Sequence, residues 1–358
     1  MADRYWILGT GTWDSTSTTN WSATSGGVGG ASVPTASDNV FFDANSNVLA
    51  TAFTVTMANS PRVCNDFTAS GLDGAMTLAG STIGLTVSGN FTLPSTNFIS
   101  TYTGATTFNA TTTGKTVTTN GVTPSTTIFF NGVGGGWSLG SALTCPSLRL
   151  QNGTLNLAGY TTSHSLRMQT ETGTKNLTFN GGTVFCTGTS ATAFNNAVPT
   201  GFTTTAGTGT GTISMTAATA KTFVGGGSTF NCTLNQGGAG ALTITGSNTF
   251  SNITNTRKST SAASILFTAG TTNTFADWNA SGESTRLLTI GSVTAASHTL
   301  SKASGTVSAD FLSISRSTAT GGAGWYAGGN STDGGNNSGW IFTAPPAPTA
   351  TGNFLVFF

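Results

Sequence analysis

The side chains able to do chemistry are few enough to weigh one by one. Eleven acidic residues are spread over 358 positions, and Asp277, Glu283 and Asp310 form the only group worth inspecting as a catalytic set. Two carboxylates about 5 to 10 Å apart across a groove can cleave a glycosidic bond, one acting as acid and the other as base or nucleophile. The same three residues serve equally well as solvated loop positions or corner caps, so no catalytic residue is assigned from this spacing. His164 and His298 lie between hydroxyl residues, in Ser163-His164-Ser165 and Ser297-His298-Thr299. Serine is so common here that such adjacency arises by chance, and no Gly-x-Ser-x-Gly elbow precedes a helix. Asp333-Gly334-Gly335-Asn336-Asn337 combines oxygen donors with glycines, but it holds a single carboxylate and reads as a turn. Cys64, Cys145, Cys186 and Cys232 are too far apart for a CxxC-type metal site, and the alternation around Cys186 and Cys232 turns them inward as free thiols. Neither a metal nor a cofactor is expected, and the chain does not read as an enzyme.

Surface aromatic residues offer a second kind of chemistry, stacking on sugar rings. Trp137, Trp278, Trp325, Tyr326 and Trp340 are the candidates, each beside Gly, Ser or Asn, and burial in a core is the competing role because large aromatics usually go inside. The run Gly132-Val133-Gly134-Gly135-Gly136 lacks the Lys-Ser/Thr of a phosphate loop and reads as a corner. Charged residues make up 6% of the chain and the net charge is +1, against roughly a quarter charged in an ordinary domain. Scattered basic residues give no footprint for nucleic acid. The absence of an 18-residue apolar run excludes an inserted helix, and Met1 to Gly9 lacks the apolar stretch of a cleaved signal, so assembly in the cytoplasm is expected.

The elements that would position these residues are short strands. Glycine occurs 49 times, Thr, Ser and Asn fill most of the space between apolar positions, and helix-surface formers are scarce. Thr favours pleated backbone, while Gly and Asn supply the left-handed angles of tight turns. Period-two runs recur throughout, among them Phe53-Thr54-Val55, Leu85-Thr86-Val87, Leu155-Asn156-Leu157, Leu242-Thr243-Ile244 and Leu312-Ser313-Ile314. Asn248-Thr249-Phe250-Ser251-Asn252-Ile253 is echoed 25 residues on by Asn273-Thr274-Phe275-Ala276-Asp277-Trp278, a period suited to one turn of a solenoid. The fold expected is all-β, a right-handed parallel β-helix in which each rung stacks on the next. Tandem β-sandwiches are the alternative, favoured by the hairpin-type pairs Asn120-Gly121, Asn131-Gly132, Asn152-Gly153 and Asn180-Gly181.

The two ends differ from the middle. Residues 1–45 carry Trp6, Trp13 and Trp21 among Gly, Thr and Ser and read as a cap or attachment module, since a bare solenoid end exposes unpaired strand edges. Residues 46–318 read as the rungs and 319–343 as a closing aromatic and glycine-rich module. Residues 344–358 read as a proline spacer followed by the apolar peptide Asn353-Phe354-Leu355-Val356-Phe357-Phe358. Trp6, Trp13, Trp21 and Phe354 to Phe358 are therefore the expected assembly contacts.

The opening Tyr5-Trp6-x-x-Gly9-Thr10-Gly11-Thr12-Trp13, followed by Asn20-Trp21-Ser22, Val33-Pro34 and Asp38-Asn39-Val40-Phe41-Phe42-Asp43, resembles the start of β-helical structural proteins of tailed bacteriophages. Trp325-Tyr326-Ala327 through Asp333 to Phe342 is similar to ends found in the same sequences, and the strand repeats also look like those of autotransporter adhesins. The resemblance covers about a fifth of the chain, in common turn and aromatic residues. It implies a virion component, a homotrimeric fibre, spike or decoration protein that binds capsid or tail proteins and contacts host surface polysaccharide. A polysaccharide-degrading tailspike and a secreted adhesin are the alternatives.

Overall fold

The computed structural model describes residues 1–167, 173–188, 193–259 and 262–347. The chain winds into a β-solenoid of about 12 turns, nearly all of its regular structure being strand. Neighbouring strands pair in parallel from coil to coil; among the named strands the exception is Asp3–Trp6, which runs antiparallel to Trp21–Ser22. Parallel stacking of this kind is a β-helix and not a row of sandwiches, whose strands would pair with their sequence neighbours.

Alternation explains why the coils close. In Phe53–Met57 the residues Phe53, Val55 and Met57 are buried while Thr54 and Thr56 are not. Stacking lines the inward positions up into columns that run from coil to coil. One column is Val40, Phe67, Phe91, Val117 and Leu139; another is Cys64, Val87, Phe108, Phe130 and Leu150. The sequence echo is an actual register, with Phe250 opposite Phe275 and Ile253 opposite Trp278. Phe230, Phe250 and Phe275 form one stack, with centroids 5.3 and 5.7 Å apart. Each such phenylalanine contributes about 2 to 3 kcal/mol of burial, which a chain with so few charges needs to offset its conformational entropy.

Two of the Asn-Gly pairs, Asn120-Gly121 and Asn180-Gly181, are corners, while Asn131-Gly132 and Asn152-Gly153 lie inside the strands Thr127–Leu139 and Leu143–Asn156. Asn180 and Gly181 both have positive φ, 46° and 79°, and Gly182 N donates to Phe179 O at 2.8 Å. This is the turn geometry of a hairpin, yet the flanking strands Lys175–Thr178 and Thr183–Cys186 each pair with other coils instead of with one another. The turn is local chemistry; what it joins is decided by which faces can be buried.

The ends are coils of the same stack. Asp3–Trp6 pairs in parallel with Asn39–Phe42, and Gly11–Trp13 with Phe53–Met57. At the other end Gly324–Tyr326 pairs with Thr306–Ser308 and with Trp340–Ile341. Each end is closed by three tryptophans packed edge to face. Trp6 and Trp13 lie 5.2 and 5.3 Å from Trp21, and Trp325 lies 5.7 Å from Trp278 and 5.1 Å from Trp340. Trp6, Trp13 and Trp21 are fully buried, so the expectation that they touch a partner is corrected: they seal the first coil. The segment Phe354 to Phe358 lies outside the described residues.

Candidate functional site

The three carboxylates singled out by spacing are each held by local partners. Asp277, on the strand Thr272–Asn279, accepts from Trp278 N at 2.9 Å and Asn279 Nδ2 at 3.0 Å, with Lys302 Nζ 3.9 Å away. Glu283 pairs with Arg286 at 3.0 Å across a one-bridge turn. Asp310 accepts from Phe311 N, Asn330 N and Asn330 Nδ2 at 2.9, 3.1 and 2.7 Å. Partial burial works to raise the Asp310 pKa, but the Asn330 and Phe311 hydrogen bonds outweigh it and hold the carboxyl below its ordinary range. A general acid needs the opposite shift. The backbones of Gly282 and Asp310 do adjoin, so two of the three segments meet, but Asp277 and Glu283 are engaged by near neighbours in the chain and Asp310 by Asn330 of the next coil.

The histidines are core residues. His164 is buried and neither ring nitrogen has a hydrogen-bond partner; burial pushes its pKa down to about 4. It lies in register with Cys186, which is in register with Met215. Among the described residues no three His, Cys, Asp or Glu side chains are arranged to hold a metal ion. His298 is also buried, stacks on Phe267 at 4.7 Å, and shares a 2.8 Å hydrogen bond through Nδ1 with Ser292 Oγ. The serine partner is not one of the sequence neighbours. The imidazole is held down to about 4 by burial, and its Nε2 is buried with no partner, so no third group orients it as a triad would. All four cysteines are buried free thiols, and burial pushes Cys145 up to about 12. Asp333 Oδ1 accepts from Gly335 N and Asn337 Nδ2 at 2.9 and 2.6 Å, a turn closed on itself.

The aromatic candidates are corrected in the same way. Trp137, Trp278, Trp325 and Trp340 are all buried, which removes their faces from any sugar. Tyr326 is half-buried. Sequence reasoning missed two buried lysines. Lys175 and Lys221 occupy inward positions; Lys221 Nζ donates to Gly240 O at 2.7 Å, and burial, aided by Arg257, lowers its pKa to about 8. The legible signal was their place in the alternation, Lys175 two residues before the inward Leu177.

The glycine run borders a hollowed part of the surface. Inside the strand Thr127–Leu139 the register jumps: Asn131 faces Asn152, and the next pair is Gly136 with Thr154. The run expected as a corner is instead an irregularity within this strand, with Gly132 and Gly135 buried and Val133, 76% exposed, carried to the rim. Beneath sits the Trp137 ring. A Cβ on Gly135 would meet Trp137 Cη2 at 2.8 Å, and one on Gly153, at φ +86°, would meet Gly135 O at 2.6 Å and Trp137 Cζ3 at 2.9 Å. Glycine is therefore required at both positions. Two depressions open here. One, of about 190 Å³, is lined by Thr113, Val133, Gly134, Asn152, Thr154 and Asn176 among others. The second, of about 230 Å³, is lined by Thr113, Gly136, Trp137, Ser138, Thr154 and Asn156 among others. The Trp137 indole N–H is buried with no acceptor, a deficit that costs about 1 to 3 kcal/mol when nothing satisfies it. Comparison with protein-family models, with curated proteins and with solved structures finds no match for this chain.

Proposed function

We propose that this chain is a structural rod, a non-catalytic β-helical element of an assembled particle, and that the particle is a tailed-phage virion put together in the host cytoplasm. The observation that carries the mechanical reading is the single hydrophobic core that, among the described residues, extends from Trp6 to Trp340 and is closed at each end by three tryptophans. Such a stack gives stiffness along one axis, since each coil pairs with its neighbours and they share one core. The carboxylates support the non-catalytic part, because each of the three is engaged by its own separate set of hydrogen-bond partners. The virion assignment is supported by the resemblance of the two end motifs, with a fibre, spike or decoration protein as the role and a homotrimer as the assembly.

The test is twofold. Light scattering behind size exclusion should give a mass of three chains; a monodisperse monomer of 35.9 kDa argues against the oligomeric rod. Peptides of this chain should be found in purified particles of a phage whose genome encodes it. Their recovery from bacterial outer-surface fractions alone would favour the adhesin reading.

A further inference from the structure

One inward column differs from the others. His164 stands in register with Cys186 and Cys186 with Met215, while Cys145 lies beside His164 in the bulge where Thr144 pairs with Ser163 and Ser147 with Ser165. A chain with four cysteines, two histidines and five methionines in 358 residues thus puts two thiols, an imidazole and a thioether at four successive levels of one stack, all of them buried. We propose that this column is a metal site, in which His164 and Cys186 hold a single copper(I) ion in line between them.

The imidazole is the observation that points to a ligand. It is 1% exposed, and neither Nδ1 nor Nε2 has a hydrogen-bond partner, although a neutral imidazole carries one donor and one acceptor. Buried polar groups are nearly always satisfied, and one that is not calls for a further partner such as an ion. A metal ion at the acceptor nitrogen is such a partner, and the residue facing that nitrogen's ring in the next coil is a thiol.

Donor type, donor number and charge select the ion. Cys145 and Cys186 lie on opposite sides of His164, in keeping with the finding that among the described residues no three His, Cys, Asp or Glu side chains converge. Zinc, which takes four ligands in a closed site, and calcium and magnesium, which take oxygen, do not fit a pair of this kind. Sulfur donors select copper(I) among the first-row ions, and a closed-shell monovalent ion accepts two donors in line. Bonds of about 2.3 Å to sulfur and 2.0 Å to nitrogen, the lengths found for zinc, together span about 4.3 Å, close to the spacing of about 4.8 Å between stacked coils. Binding replaces the S–H bond of Cys186 by an S–Cu bond and releases the proton to solvent, with no change of oxidation state. One thiolate and one monovalent ion leave the core neutral, whereas a divalent ion would leave a net positive charge in an apolar interior. The Met215 thioether, at the next level, adds a soft and polarizable neighbour. Because the column is buried, the ion is taken up as the coils form.

The experiment offers copper to the full chain by two routes, during its synthesis in copper-supplemented cells and during anaerobic refolding from urea with copper(I) in dilute acetonitrile, and counts copper per chain after gel filtration. One ion should be retained, X-ray absorption at the copper edge should show one nitrogen and one sulfur neighbour, and zinc(II) offered in the same way should wash off. His164→Leu and Cys186→Ala should each abolish retention, whereas Cys232→Ala, which removes a buried thiol outside the column, should leave it at one. Circular dichroism and thermal unfolding report whether each variant has folded. Where one has not, the absorption spectrum of the parent decides, since copper surrounded by sulfur alone or by nitrogen alone overturns the pairing. A folded parent that holds no copper by either route overturns the proposal. Retention unchanged in folded His164→Leu or Cys186→Ala, loss in folded Cys232→Ala, or zinc held in place of copper does so as well. None of these outcomes depends on whether the rod belongs to a virion.

Discussion

Acidification should destabilise this solenoid through its two histidines before its carboxylates respond. His164 and His298 are buried, and burial holds both down to about 4 from an ordinary 6.5. A group whose folded pKa is depressed binds protons more readily when unfolded, so stability is intact above pH 6.5 and falls as pH drops toward 4. A full shift of this size corresponds to about 3.4 kcal/mol per histidine, and about 2 kcal/mol of that is lost already near pH 5. The carboxylates act in a lower window. Asp14, held at about 2 chiefly by the Ser17 hydrogen bonds, and Asp38 and Asp310, both lowered, lose their contributions only as pH falls below the ordinary carboxylate value of 3.8. Urea unfolding followed by circular dichroism at neutral pH and near pH 5 should therefore show a loss of about 4 kcal/mol for the two sites together. Because coils unfold in part independently, hydrogen exchange in the strands Thr161–Arg167 and His298–Ser301 reports each site separately. His164→Leu with His298→Leu should flatten the profile above pH 4. An unchanged wild-type midpoint at pH 5, or an equal loss in the double variant, would refute the reasoning.

Three further outcomes follow from the packing. Phe250→Ala should cost about 3 to 5 kcal/mol in urea unfolding, because Phe250 is stacked between Phe230 and Phe275 and a solenoid coil cannot collapse into the cavity without breaking register. Gly153→Ala should cost more than about 2 kcal/mol, since its φ of +86° and the carbonyls of Gly132 and Gly135 both exclude a methyl group; a variant as stable as the parent would remove the close-approach argument. The four cysteines should resist a thiol reagent in the native protein and react only after unfolding, because all are buried, and rapid native labelling of any of them would contradict that burial.

How much could be read from the sequence varies with the distance over which the cause acts. Alternation, the turn chemistry of Asn and Gly, and the 25-residue echo are local or periodic, and they identified the strands, the corners and even the register Phe250 to Phe275. Inward cysteines were legible for the same reason. The hairpin signals misled because a turn such as Asn180-Gly181 is set by its own backbone angles, while its pairing partners are set by coils lying before and after it in the chain. The tryptophans misled for a related reason: Trp6, Trp13 and Trp21 stand in glycine-rich, polar surroundings, and only closure of the coil turns all three onto one another.

Sequence alone thus determined that the protein is an all-β stack with a neutral, hydroxyl-rich surface, because composition and periodicity act residue by residue. Tertiary structure decided the remainder. It gave each acidic candidate its own separate partners, buried the histidines and tryptophans, and made a hollow from a glycine run, Thr113, Thr154 and the Trp137 ring. Those residues come from different coils, and no spacing along the chain shows which coil will lie against which until the apolar columns have been stacked.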